Sequence, residues 1–292
     1  MNIVLISTTD MKGGRADVRD RMLESMAESE RTLRDDRLVL ALLLQNCEPE
    51  DLHPVTAALP PFVRPVAIAG RVPLSTARNI LLRQLVTEGV ITPNTLVAFP
   101  DDDCWYPLGF LCQVAEIFVR DAMLDFWFCR YASRPICESF SAEVPMIARI
   151  GEVVRNASSN TIFLRGRLVA GIGEFDEALG VGTPMGGAED IDYALRARRV
   201  ARKVAYLDAA LVGHRDKAPE FRARYYMGGL VVLARHARDG TVGLFLRAIA
   251  VGCYLMLRRE LALRDFAVAL FRAVDAWRVG SSRALRPFDS AS

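Results

Sequence analysis

A chain of 292 residues, 51% hydrophobic and 25% charged, has the composition of a globular α/β protein: one large domain, or one domain with an appendage. Its net charge of +2 provides no global field to gather nucleic acid. The six cysteines (Cys47, Cys104, Cys112, Cys129, Cys137, Cys253) form no CxxC pair and do not cluster with the three histidines. A zinc or disulfide framework is thereby excluded, and the expectation is buried thiols in a reducing compartment.

The chain opens directly on an apolar strand, residues 2–7, with no basic stretch or long apolar run that would mark a signal peptide; a cytoplasmic location is expected. Residues 8–14 read as the following loop and 17–32 as a helix with Val18, Met22 and Met26 in register. A second strand spans 37–44 and ends at Gln45-Asn46, and a third, broken by Pro65, spans 63–69. Residues 75–88 are helical, with Ser75 as N-cap and Ile80, Leu81 and Leu85 facing inward. Strand 95–99 follows, then helix 107–120, an aromatic strand over 125–131, and a polar excursion or hairpin over 135–150. Short strands at 161–164, 204–207 and 211–214 complete this part. Alternation of strands and helices predicts an α/β fold: a mostly parallel, Rossmann-like sheet with helices on both faces.

Two acidic stretches carry the chemistry. The strand at 95–99 runs into Pro100-Asp101-Asp102-Asp103-Cys104-Trp105. Ligands of open α/β sheets sit beyond the carboxyl ends of strands, and three acids there repel one another unless a cation lies among them. A solvated acidic turn would show the same triplet. The second stretch is a glycine-rich loop, residues 180–187, delivering Glu189-Asp190 into the first turn of a helix. Acids are stabilised there by the helix dipole alone, by about 0.3–1 kcal/mol. A carboxylate aimed from such a loop into a cleft also suits a general base. His214, at the end of an apolar run, reads by itself as a structural histidine, and Trp105, after a turn, as core.

Three segments together resemble the GT-A-fold, family-2-like nucleotide-sugar glycosyltransferases of bacteria. Leu74-Ser75-Thr76-Ala77-Arg78-Asn79 resembles that family's LSxARN segment, and Phe99-Pro100-Asp101-Asp102-Asp103 its DxD motif. Ile172-Gly173-Glu174-Phe175-Asp176-Glu177, followed by Gly187-Ala188-Glu189-Asp190, resembles its acceptor-side segment. The resemblance implies a metal-dependent, inverting transferase moving a sugar from a nucleotide-sugar donor to a saccharide or lipid-linked acceptor, as in bacterial surface polysaccharide or glycolipid synthesis. Asp103 and His214 would hold Mn²⁺ or Mg²⁺. Thr8, Asp10, Arg78, Asp101 and Asp102 would face the donor, Glu189 and Trp105 the acceptor, and Asp190 would be the base. Ser7-Thr8-Thr9-Asp10 and Gln45-Asn46 depart from the family's usual base-binding residues, so UDP is expected from family frequency alone. A nucleotidyltransferase, suggested by Lys12-Gly13-Gly14-Arg15, and a non-catalytic saccharide-binding protein are the alternatives.

The domain boundary is expected near 217. Residues 219–292 carry twelve arginines, no lysine and six acids. Helices are predicted over 219–238 and 241–279, the second presenting Arg247, Arg258, Asp265 and Arg272 on one face. Three readings stay open for this region: packing on the larger domain, lying on the inner membrane surface, or forming a homodimer.

Overall fold

In the computed structural model the structure describes residues 1–33, 37–136, 146–215, 222–280 and 288. The first apolar run forms β1 (Ile3–Asp10), paired in parallel along its whole length with β2 (Leu38–Gln45). Strand β3 (Val63–Ile68) lies outside β2, where Pro65 is tolerated because an edge strand need not donate on both sides. On the other side of β1 comes β4 (Leu96–Ala98), then β7 (Ile162–Arg165) running antiparallel to it. Strands β5 (Leu124–Ala132) and β8 (Lys203–Gly213) restore the parallel direction, and the short β6 (Met146–Ile147) closes the far edge. Among the described residues the order is β3-β2-β1-β4-β7-β5-β8-β6.

Alternate residues of each strand enter opposite cores. Val4, Ile6, Ala41, Leu43 and Val97 pack with α3 (Leu74–Thr87), α6 (Gly166–Ile172) and α7 (Glu189–Val200). Ile3, Leu5, Leu40, Leu42 and Ala98 pack with α1 (Ala16–Thr32) and α4 (Phe110–Arg120). Sheet, faces and helices follow the expectation from alternation.

Several boundaries differ. The two short strands expected at 204–207 and 211–214 are one strand, β8. Helix α3 begins at Leu74 with Pro73 as N-cap; Ser75 lies inside it and donates its hydroxyl to the Leu179 carbonyl at 2.8 Å. Helices α2 (Pro49–Ala57), α5 (Ile150–Asn156) and α6 were not expected, being short segments without a full amphipathic period. Residues 137–145 of the expected hairpin, Cys137 among them, lie outside the described residues. Cys47, Cys104 and Cys129 are buried thiols as expected, whereas Cys253 is exposed.

The carboxy-terminal helices are α8 (Arg222–Arg235), α9 (Val242–Leu257) and α10 (Leu263–Val279), packed around Leu230, Leu233, Phe245, Leu255 and Phe266. The single helix expected over 241–279 is broken between α9 and α10, where Arg259 has φ +59°. Arg247 therefore lies on α9 and Arg258 caps its end, Asp265 and Arg272 lie on α10, and the expected continuous charged face does not form. Helix α8 approaches the loop feeding α7 so closely that a Cβ on Gly228 would sit 2.5 Å from the Gly187 carbonyl oxygen. Among the described residues no helix is long and apolar enough to cross a membrane.

Candidate active site

A cavity of about 680 Å³ opens at the carboxyl ends of the central strands. Its wall takes Thr8 and Asp10 from the end of β1, Asp101 to Asp103 from the turn after β4, and His214 from the end of β8. Glu189 and Asp190 reach it from the first turn of α7, and Tyr225 from α8. Acids and a histidine remote in sequence thus converge because each lies at the end of a strand or the start of a helix on one edge of the sheet.

Asp101, Asp103 and His214 form one cluster in which a ligand atom from each lies within 4.8 Å of the others. His214 Nε2 is 3.1 Å from Asp103 Oδ1 and 3.5 Å from Asp101 Oδ2. Its Nδ1 lies 2.8 Å from the Arg215 carbonyl, which can only accept, so Nδ1 carries a proton and Nε2 faces the carboxylates. Asp103 Oδ1 and His214 Nε2 are both buried, and neither has a hydrogen bond of acceptable geometry. Two orphaned polar atoms aimed into one oxygen- and nitrogen-lined cradle are what a divalent cation would satisfy, and this donor set fits Mn²⁺ or Mg²⁺.

The three aspartates share His214 and Arg15 in part, Arg15 also lying 3.3 Å from Asp103 Oδ2, and differ in their other partners. Asp102 lines the cavity and is held from one side: Arg15 Nε donates to both its oxygens at 2.9 and 2.8 Å, and Thr9 Oγ1 donates at 2.7 Å. These bonds anchor the turn to β1 and to the start of α1. Asp101 accepts from Asn160 Nδ2 at 2.9 Å, and the Asn160 side-chain oxygen in turn accepts from the Asp101 backbone N–H at 2.7 Å. Asp103 pairs with Arg215 at 3.0 Å.

Arg78 differs from expectation most. Only 1% exposed, it is not among the residues that line the cavity. One nitrogen donates to Asp190 Oδ1 at 3.1 Å and the other to Asp101 Oδ1 at 3.0 Å, with Glu189 at 4.0 Å. Next to it Asn79 exchanges hydrogen bonds with the Phe175 backbone, at 3.0 and 2.8 Å. Two of the motif segments are therefore knitted together by the helix between them.

Trp105, expected on the acceptor side, is not among the residues that line the cavity. It forms a bridge with Gly213, at which a Cβ would lie 2.0 Å from the indole, and Arg21 stacks 3.9 Å over the ring. Thr8 and Asp10 do face the cavity; Gln45 Nε2 donates to Thr8 Oγ1 at 2.8 Å, and Asn46 Nδ2 to Asp10 Oδ1 at 2.7 Å. Asn160 and Tyr225 were missed, because one polar residue in a turn and one aromatic residue on a helix carry no signal of their own; Gln45, noted only as a departure from the family, also lines the cavity.

The loop before α7 is shaped for close approach. Ala188 holds φ +72°, a strained value for a residue with a Cβ, immediately before Glu189. Gly180, at φ +101°, leaves room that a Cβ would take from Ser75 Oγ and Glu189. One turn further on, Asp192, fully buried, accepts from Arg196 at 2.9 Å, Arg235 at 3.0 Å and His236 at 3.0 Å. The end of α8 is thereby fastened to the helix carrying Asp190.

Burial would raise the Asp101 and Asp103 carboxyls, but His214, with Arg78 and Asn160 at Asp101, holds both below the usual range. Burial would lower His214, yet its two aspartates push it up to about 9. A bound cation would take the place of that proton. Burial and the neighbouring Asp190 push Glu189 up to about 8, with Arg78 offsetting only part.

No protein-family model and no curated protein matches the sequence. Solved structures do resemble the fold. A structure of S. aureus TarS residues 1–349 shares 16% identity at a TM-score of 0.64, covering 94% of this chain and 81% of that one. The same segment in complex with UDP-GlcNAc gives 15% identity and 0.60, covering 95% and 90%. The longer TarS chain gives 15% and 0.59, with 95% of this chain covering 54% of it. The α/β fold, with its carboxy-terminal helices, is shared with TarS.

Proposed function

We propose that the chain is a metal-dependent, inverting glycosyltransferase that moves a sugar from a nucleotide-sugar donor, a UDP-sugar by family frequency, to a hydroxyl of a saccharide or lipid-linked acceptor. The observation that carries the reading is a single cavity bounded on one side by Asp101, Asp103 and His214 and on another by Glu189 and Asp190. The fold shared with TarS, a protein solved in complex with UDP-GlcNAc, supports it.

In this reading Asp101, Asp103 and His214 hold Mn²⁺ or Mg²⁺, which when bound neutralises the charge that gathers on the departing diphosphate. Asp190 takes the proton of the acceptor hydroxyl. The freed oxygen attacks the anomeric carbon from the face opposite the leaving group, the bond from that carbon to the diphosphate oxygen breaks, and the configuration inverts. Arg78 fixes the Asp190 carboxylate from behind, so its free oxygen stays turned to the cavity. Glu189, protonated through much of the neutral range, donates its O–H to orient the acceptor. Thr8 and Asp10 face the nucleoside end of the donor.

The test is a thermal-shift series of nucleotides and nucleotide sugars with and without Mn²⁺. A donor that binds only the native state raises the melting temperature by mass action, so one nucleotide sugar should stand out, and only with the cation present. Equal shifts with and without the cation would overturn the metal's part in the reading.

A further inference from the structure

Helices α9 and α10 form an antiparallel hairpin: Phe245, near the start of α9, meets Trp277, near the end of α10, with ring centroids 5.7 Å apart. Nearer the tip Gly252 admits Phe266 so closely that a Cβ there would lie 2.4 Å from the ring. The inner face is filled by Leu230, Leu255, Ala269 and Ala273. The outer face is not. Leu257, the last residue of α9, is 84% exposed, and Leu263, the first of α10, is 73% exposed. Tyr254 and Phe271 extend the apolar stripe away from the tip at 54% and 71%.

The charges around this stripe have one dominant sign. Residues 241–280 contain six arginines against three acids, and Arg258, Arg259 and Arg264 flank the two exposed leucines. All three are exposed. Arg258 lies over the Tyr254 ring and bonds its hydroxyl at 3.1 Å, so an aromatic with a polar end sits beside the arginines. Exposed leucines between arginines match a bilayer interface, where apolar side chains enter the acyl boundary and long cationic ones reach headgroup phosphates. A second copy is a poorer match, because a two-fold contact would set these arginines against themselves.

We propose that the tip of the α9–α10 hairpin docks on an anionic phospholipid surface, Leu257 and Leu263 entering the interface and Arg259 and Arg264 meeting the phosphates. This placement is independent of the transfer chemistry, and its test uses no substrate.

The full chain is floated with vesicles of phosphatidylcholine alone or mixed with phosphatidylglycerol. The wild-type protein should partition about tenfold or more in favour of the anionic vesicles, with the preference fading as salt rises. Leu257→Ser with Leu263→Ser should remove binding, and Arg259→Ser with Arg264→Ser should remove the anionic preference. These side chains are solvent-exposed, so melting temperatures should match the wild type and confirm intact folding. Equal binding to neutral and anionic vesicles, or none to either, would overturn the proposal. So would a concentration-dependent dimer, seen by light scattering without lipid and abolished by the leucine pair, since that makes the tip an interface between copies.

Discussion

Asp101 and Asp190 hold the same guanidinium: Arg78, 1% exposed, reaches Asp101 at 3.0 Å with one nitrogen and Asp190 at 3.1 Å with another. The acid that begins the candidate metal cluster and the acid proposed as base are thus set at a fixed separation by one buried side chain. Arg is suited to this because its planar fork presents two donors at once and stays charged when buried.

Arg78→Met should leave the Asp101 and Asp190 carboxylates without the guanidinium that joins them. Breaking a buried pair on one side costs about 3–5 kcal/mol. Urea unfolding should show a loss of that order, and a loss below about 1 kcal/mol would mean the carboxylates do not depend on Arg78.

Asp190→Asn keeps the shape and the Arg78 contact but cannot take a proton. Turnover should fall by about 10²–10⁴-fold with the donor KM little changed, as for a lost general base. Near wild-type turnover would move the base elsewhere in the cavity.

Glu189 gives the protein a pH signature. Its carboxyl is raised in the folded state from 4.5 to about 8, so the folded protein keeps a proton that the unfolded chain releases. The native state then binds more protons through that window, and stability falls as pH rises through it. Wild type should lose stability relative to Glu189→Gln between about pH 4.5 and 8, the difference levelling off above. Parallel stability–pH curves for the two proteins would show that Glu189 ionises freely in the fold.

Asp192, fully buried beneath Arg196, Arg235 and His236, couples α8 to α7. Asp192→Asn should destabilise by about 3–5 kcal/mol. Arg278→Ala, which removes an exposed pair with Asp275, should stay within about 0.5 kcal/mol. The contrast is read from two urea melts.

The residues themselves show why part of this was legible. Strands buried on both faces, such as residues 3–8 and 38–44, are nearly unbroken apolar runs and announce a parallel sheet. The DxD turn and the Glu189-Asp190 pair stand out because acids at element ends are unusual in number and place. Roles within those motifs were not legible: nothing in Asp101-Asp102-Asp103 says that the middle acid binds Arg15 while its neighbours face His214. The bridging place of Arg78, expected on the donor, was not legible either, since its partners come from two other segments. Asn160 lies in a polar turn that resembles any other. The α9–α10 break was hidden because Leu257-Arg258-Arg259-Glu260-Leu261-Ala262-Leu263 contains only good helix formers; both helices instead turn back to pack on α8.

The most direct measurement is release of UDP from UDP-GlcNAc by purified protein, with and without Mn²⁺, in wild type and Asp103→Asn. The account predicts release, slow without acceptor, that depends on the cation in wild type and is lost in Asp103→Asn. Undiminished release in Asp103→Asn, or pyrophosphate formed from a nucleoside triphosphate and a sugar phosphate in its place, would contradict it.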